Sequence, residues 1–370
     1  MKALVNTARI LVGSLFIFSG LVKAIDPLGL SYKMQEFYEV WGDAGYFKSL
    51  MDWLHGHSLM FSVIMIAMEV ILGLTLLLGT WKKLTLTLLL LLMLLFMFLT
   101  SYVLFSGKIS TCGCFGDCIP LTPIQTFIKD ILLLLLIFLL IFGRKYIQPL
   151  INTRWNILIL LCTLACILFL MWYVLRHLPL IDCLPFKKGN NIMELRKMPK
   201  DAVPDKFSYL FVYEKAGQKK EFEAASIPDS TWKFVDRKQV LVQKGMNNVP
   251  RINDFTLTSM NGVDSTDIIL SGPQSYYLLF MKDKYPGDEE WSAVIAFFGN
   301  RNRELPLYVV TSQPEEMGKL LKSGREPVNI PVLSCDATAI KTASRSNATL
   351  YLMRGAVIGQ KWSWADLPKK

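Results

Sequence analysis

Five stretches in the first half of the chain stay apolar long enough to cross a bilayer. Leu84 to Phe105 runs 22 residues without a charge, and Trp155 to Leu175 runs 21. A hydrocarbon core needs about 20 helical residues. Ser58 to Thr80 is interrupted only by Glu69, and Ile124 to Gly143 carries Lys129 and Asp130 near its start. Ile10 to Val22 is shorter; Arg9 and Lys23 are expected to snorkel at its ends and extend it. The following SGLVKAIDPLGL offers no small-residue cleavage site, so this first helix is expected to be retained. Tyr32 to Trp41 predicts a short helix in the first outer loop. Phe47, Leu50, Met51, Trp53 and Leu54 predict a further amphipathic piece at the membrane interface.

The pattern changes after about residue 178. Lys187 to Asn191 reads as linker, and Phe207 to Glu214 alternates like a strand. Ala216-Gly217 turns it, Glu221 to Ala224 returns as a hairpin, and Trp232 to Gly245 is a mixed segment. From Arg251 the order is more regular. SYYLLFM (Ser275–Met281), LPLYVVT (Leu305–Thr311) and IPVLSC (Ile330–Cys335) read as strands. Asp288 to Phe298 and Pro314 to Lys322 read as helices between them; Asp336 or Thr338 caps a third, TAIKTAS. TLYLM and VIGQK close the chain as a hairpin around Arg354-Gly355. The expected fold is an α-helical membrane bundle with five transmembrane helices (1–178), a β-rich connecting segment (179–250) and an α/β thioredoxin-like soluble domain (251–370).

Composition agrees: 52% of residues are hydrophobic and 19% charged, and the excess lies before residue 178. The net charge of +10 raises the question of nucleic acid, but no basic patch interleaves with aromatics, and no nucleic-acid partner is expected. Membrane lipid is the expected contact. The basic residues speak to orientation. Lys2 and Arg9, then Lys82 and Lys83, then Arg144, Lys145 and Arg154 fall on one side, in short segments. The positive-inside rule places the N-terminus in the cytoplasm and everything after residue 178 outside, periplasmic in a bacterial inner membrane.

Candidate chemistry follows from that topology. Glu69 near the middle of a span must be paired, protonated or facing a cavity. It is either a clamp between helices or the wall of a small-molecule or proton pocket, with Arg9 and Lys23 as candidate partners. Lys129 and Asp130 can pair with each other or with the neighbouring loop. Cys162 and Cys166 share one helix face and read as small apolar packing. The loop TCGCFGDCIP places Cys112, Cys114 and Cys118 on the outer side. Its CxC spacing, without a nearby His or fourth ligand, argues against zinc, and no metal is expected. In an oxidising exterior the thiols would pair, with Cys118 the easier partner for Cys112 or Cys114. The third thiol could then attack that disulfide, unless the loop is only a staple. Cys335 ends a strand and is expected either in the core or paired, with Cys183 as its possible disulfide partner.

Three motifs of the membrane half resemble the DoxX/MauE group of bacterial membrane proteins. They are RILVGSLFIFSGLVK (Arg9–Lys23), EVILGLTLLLG (Glu69–Gly79), and CGCFGD followed by LTPIQTFIKDILLL (Cys112–Leu134). The resemblance covers roughly residues 5 to 145. It implies a role in assisting disulfide formation in an exported protein, with Cys112 and Cys114 as the redox candidates and less said of Cys118. RINDFTLTSMNGVDSTDIIL resembles the opening of thioredoxin-like and peroxiredoxin-like domains. Where such domains carry CxxC this chain reads KDKYPGDEEW, and Ala348 stands where their cis-proline is expected. Two functions are therefore expected to compete. One is a membrane thiol–disulfide or assembly factor acting through the CxC loop. The other is a scaffold whose soluble domain binds a periplasmic protein partner or client. No cofactor motif is evident; a membrane quinone is a candidate electron acceptor without a motif to support it.

Overall fold

The apolar runs of the first half form helices that pack by their small and branched faces. In the computed structural model, all residues are described except 110–112, 114, 216, 244, 246, 283–286, 301–303, 324–328 and 369–370. Helices α1 (Lys2–Ala24), α4 (Ser58–Leu78), α5 (Lys82–Ser106), α6 (Pro123–Phe142) and α7 (Thr153–Arg176) are each long and apolar enough to span a membrane. This is a multi-pass membrane protein. Between α1 and α4 lie α2 (Pro27–Asp43) and α3 (Lys48–Gly56). Asp26 accepts from Gly29 N at 3.0 Å and Pro27 opens α2, a standard helix start. On α3 and just before it, Tyr46, Phe47, Leu50 and Trp53 are exposed, which suits a helix lying at the headgroup level.

Helices α1 and α4 run antiparallel and nearly touch. A side chain on Gly73 would lie 2.7 Å from the Gly13 carbonyl, and one on Gly13 would lie 3.0 Å from the Gly73 carbonyl. Only small residues permit that approach in lipid. The first span is longer than expected, and its end charges do not snorkel. Arg9 and Lys23 are 6% and 2% exposed and turn into the protein. Arg9 donates to the carbonyls of Leu76 (2.8 Å), Leu77 (2.6 Å) and Gln148 (3.0 Å). Leu76 and Leu77 lie in the last turn of α4, where carbonyls run out of helical partners, although Leu76 also accepts from Gly79 N. Cys162 and Cys166 also depart from expectation: both are exposed on the outer face of α7 rather than packed within the bundle. Large side chains such as Phe98, Leu132, Leu135 and Phe169 are likewise exposed, which makes that surface lipid-facing.

Beyond α7, the segment expected as linker is part of the fold. Short helix α8 (Ile192–Leu195) follows it, and Phe186 and Ile192 are buried in the core of the α/β portion. Gly189 and Ile192 donate backbone N–H groups to the carbonyls of Ile358 and Ala356. The hairpin β1 (Lys206–Lys215) and β2 (Gln218–Glu223) is joined by a third strand, β3 (Lys233–Gln243), where only a mixed segment was expected. All residues of β3 are exposed, so burial leaves no clean period in its sequence.

The last third is a six-stranded sheet. Its elements are β4 (Thr258–Ser259), α9 (Thr266–Ser271), β5 (Ser275–Met281), α10 (Asp288–Asn300), β6 (Leu307–Thr311) and α11 (Pro314–Ser323). They are followed by β7 (Val332–Ser334), α12 (Ala337–Ala343), β8 (Ala348–Arg354) and β9 (Val357–Ser363). The strand order is β4-β7-β6-β5-β8-β9, with β5, β6 and β7 parallel and β8 and β9 antiparallel. Alternation along β5 sends Leu278 and Phe280 to one core and Leu279 and Met281 to the other. Helices thus cover both faces of a mixed α/β sheet, as the strand and helix order of the sequence predicts.

Candidate functional site

The site expectations fall into two places, one inside the bundle and one above it. Inside, Lys23 Nζ donates to Glu69 Oε1 at 2.6 Å, to Oε2 at 2.8 Å and to Ser19 Oγ at 3.0 Å. The geometry follows from side-chain direction. Every helical Cβ tilts toward its helix N-terminus. Near the C-terminal end of α1, Lys23 therefore leans inward, while Glu69 on antiparallel α4 leans outward to meet it. Of the two candidate partners for Glu69, Lys23 holds it and Arg9 does not.

Lys129 Nζ pairs with Asp130 Oδ1 at 2.7 Å, and Thr100 donates to Asp130 Oδ2 at 2.6 Å. The start of α6 is set by a capping box, Thr122 with Gln125, and by Pro123. This puts Asp130 two turns into the helix and fully buried. Glu69, Ser19, Lys129 and Asp130 line one cavity of about 10 Å³, closed by Phe16, Met93 and Phe96 among others. That is close to the lower limit for a single water. Above it, the Lys129 ammonium sits 4.9 Å from the Phe115 ring centroid, and Phe115 is buried against Phe18. The cysteine loop therefore stands directly on the buried polar cluster.

Cys112 and Cys114 lie outside the described residues. Gly113 between them packs on Lys33 of α2. Cys118 is bonded to Cys183, with Cα atoms 5.0 Å apart. Both sequence-based pairings are thereby corrected. Cys118 is not the partner of Cys112 or Cys114, and Cys183 does not pair with Cys335. Cys335 is buried, and burial pushes its thiol up to about 12. It stays protonated at neutral pH and is a poor nucleophile.

The disulfide is gripped from the α/β side. Asp117, just before Cys118, accepts from Arg345 Nη2 at 2.9 Å. Asp182, just before Cys183, accepts from Lys361 Nζ at 2.9 Å. Arg345 also donates through Nε to Asp26, the cap of α2, at 2.8 Å. Its Nη1 bonds the Lys341 carbonyl near the end of α12 at 2.7 Å. Burial alone would lower the Arg345 pKa; Asp26 and Asp117 outweigh it and hold the guanidinium above its ordinary range. For Lys361 burial prevails over Asp182, and its pKa is lowered. Sequence reasoning missed Cys183, Arg345 and Lys361 as a set. A signal was present: Asp-Cys-Ile-Pro at 117–120 and Asp-Cys-Leu-Pro at 182–185 are the same tetrapeptide pattern, one residue type apart.

An open cleft of about 680 Å³ lies beside this disulfide, between α2, the cysteine loop, the segment after α7 and α12. Ligand clefts run roughly 300–1,000 Å³. Cys118 and Cys183 both line it, together with Tyr32, Lys33, Lys341 and Arg345. The ring of Tyr32 is faced by Lys341 at 5.4 Å and Arg345 at 5.3 Å.

Comparison with known proteins is informative for the membrane half. Residues 1–143 match the family described as methylamine utilisation protein MauE. Residues 207–244, the three-stranded sheet, match a domain of unknown function, DUF8463. Protein TlpB of Flavobacterium psychrophilum is 32% identical over 139 residues, which is 37% of this chain and 36% of TlpB. The chain thus aligns with about a third of that relative's length. No solved structure matches. The N-terminal part of this membrane protein is MauE-like, and the two aspartate-flanked cysteines join that part to the region beyond it.

Proposed function

We propose that the chain is a membrane-bound thiol–disulfide exchange or assembly factor for exported proteins. The observation that carries this reading is the Cys118–Cys183 disulfide, half-buried in the wall of an open cleft, whose Cys118 belongs to the same loop as Cys112 and Cys114. The MauE-like match over residues 1–143 and the name of TlpB are consistent with a redox or maturation role.

The exchange balances as follows. A client dithiol gives two electrons and two protons to a Cys112–Cys114 disulfide and leaves as a client disulfide. The Cys112 and Cys114 thiols then attack Cys118–Cys183, regenerating their own bond and leaving Cys118 and Cys183 as thiols. An acceptor of the quinone or protein-disulfide class takes the two electrons and two protons from Cys118 and Cys183. A disulfide on this side of the bundle fits an oxidising compartment, and with the Lys/Arg distribution supports a cytoplasmic N-terminus and a periplasmic α/β part. Glu69, Lys129 and Asp130 act in this reading as the buried polar support beneath the loop.

The α/β part contributes binding rather than redox chemistry. Its strand order supports a thioredoxin-like reading, while residues 282–291, where CxxC would fall, contain no cysteine. A scaffold without exchange chemistry is the second reading, favoured by that same missing pair. The deciding experiment replaces Cys112 and Cys114 by Ser and reads the thiol state of exported proteins by alkylation. Accumulation of reduced clients is expected; an unchanged thiol profile leaves the scaffold.

A further inference from the structure

We infer that the cleft beside Cys118–Cys183 recognises an acidic polypeptide segment, so that the client presents its cysteine next to Asp or Glu. This names the substrate class for the exchange proposed above and rests on that reading. The argument is one of charge. The cleft is lined by Lys33, Lys187, Arg251, Lys341 and Arg345 against Glu36, Glu39 and Asp117. Glu36 is paired with Lys33 and Asp117 with Arg345, each at 2.9 Å, while Glu39 shares a hydrogen bond with the His55 ring at 2.9 Å, so the positive charge of the lining stays in excess.

Among the described residues, Lys187, Arg251 and Lys341 meet no carboxylate. The nearest polar partner of Lys341 is the amide oxygen of Gln35, at 3.3 Å. These three cations, without a counter-ion among the described residues, converge on one concavity from the segment after α7, the chain before β4 and α12. A recess walled by protein focuses such a field and raises the local concentration of an anion. The cations are spread over separate elements, and the cleft has the volume of a ligand site rather than of a single ion. Such spread suits carboxylates distributed along an extended chain. The disulfide in the wall gives that chain a reason to be there.

The test uses the full-length protein in phosphatidylcholine nanodiscs. The probe is a fluorescent ten-residue peptide carrying Glu and Asp around a central Ser, compared with its Gln/Asn isostere by anisotropy at low and high salt. The acidic peptide should bind roughly tenfold tighter at low salt, the sum of a few partly screened ion pairs, and lose that advantage at high salt. Lys187→Glu with Arg251→Glu, both at exposed positions, should abolish the preference with the Cys118–Cys183 bond intact by mass spectrometry. Equal affinity for the two peptides overturns the inference, as does a preference that survives the double variant. Soluble glycerophosphoglycerol that binds as tightly as the acidic peptide and displaces it also overturns it, in favour of a lipid headgroup site. Because the probe has no thiol, its result is separate from the exchange reaction. If the acidic peptide binds but its Cys counterpart is never oxidised, the cleft stands and the relay falls. If Cys peptides are oxidised regardless of their charge, the relay stands and the acidic specificity falls.

Discussion

The bundle and the junction above it both hold cations against carboxylates at nearly the same distance, yet the two sets are built for different purposes. Lys23 and Glu69 meet at 2.6 Å with both side chains almost sealed, at 2% and 1% exposure. Arg345 meets Asp117 at 2.9 Å with the cation sealed at 5% and the acid open at 43%. Lys361 and Asp182 follow the second pattern, at 6% and 23%. Inside the bundle neither charge can be rehydrated without moving a helix. At the junction the acids keep their water and lie beside the two disulfide cysteines, while the cations come from the α/β part. A pair sealed on both sides is a clamp. A pair sealed on one side is a contact whose acid stays hydrated while its cation is held by the α/β part.

The sharpest way to break this contrast is to orphan a charge in the bundle. Glu69→Ala leaves the Lys23 ammonium buried without its counter-ion and should cost about 3–5 kcal/mol, the price of an uncompensated buried charge. Thermal unfolding in detergent should show a large fall in Tm or no folded protein at all. Replacing both partners, Lys23→Met with Glu69→Leu, should recover most of the loss, since well-packed apolar pairs often match buried ion pairs. If the double replacement is as damaging as the single one, the pair does more than hold α1 to α4. The polar-pocket reading of Glu69 then gains weight.

How far the sequence spoke for itself divides along the same line. The spans, β5 and the closing hairpin were legible because an apolar run or its alternation reports burial directly. The first span looks short in the sequence because Arg9 and Lys23 interrupt the apolar run, and a sequence does not show where a charge points. Gly13 and Gly73 fix that: their contact sets the stagger of α1 on α4. Lys23 is 10 residues beyond Gly13 and Glu69 four before Gly73, so their Cα atoms differ in height by about 9 Å at 1.5 Å per residue. Two side chains leaning toward each other close that gap. The Cys118–Cys183 bond spans 65 residues and a whole membrane helix hairpin. Local spacing in CGCFGDC favoured short-range pairs and gave no hint of it. The repeated Asp-Cys-x-Pro pattern was the accessible clue. Buried cations such as Arg345 and Lys361 leave none, because their partners are assembled only by the fold.

Orphaning a charge at the junction should be milder. Arg345→Ala removes a buried cation from two acids that still reach water, so the loss should be about 1.5–3 kcal/mol, the range of hydrogen bonds to charged groups. The effect should be local: the bundle keeps its Tm while the segment around residues 177–190 becomes easier to cleave by protease. The Cys118–Cys183 bond should also be reduced faster by dithiothreitol. A uniform loss of stability through the whole protein would mean that Arg345 is a clamp of the same kind as Lys23.

The smallest effect is a matter of pH, and it tests whether the junction carries a sealed cation at all. Burial lowers the Lys361 pKa in the folded protein despite Asp182. Between that lowered value and the ordinary 10.5 of an unfolded lysine, the unfolded chain binds more protons at this site than the folded one. Stability then rises with pH, because its slope follows the excess of protons on the unfolded state. Relative to Lys361→Met, the wild type should gain stability as pH climbs toward 10.5, and the difference should flatten below the folded pKa. Urea unfolding followed by tryptophan fluorescence at a series of pH values measures it. The double replacement Lys23→Met with Glu69→Leu should leave this pH-dependent difference unchanged, since Lys23 and Glu69 sit in another part of the molecule. A difference that falls with rising pH would show that Asp182, and not burial, governs Lys361, and would make the junction pair electrostatically the stronger of the two.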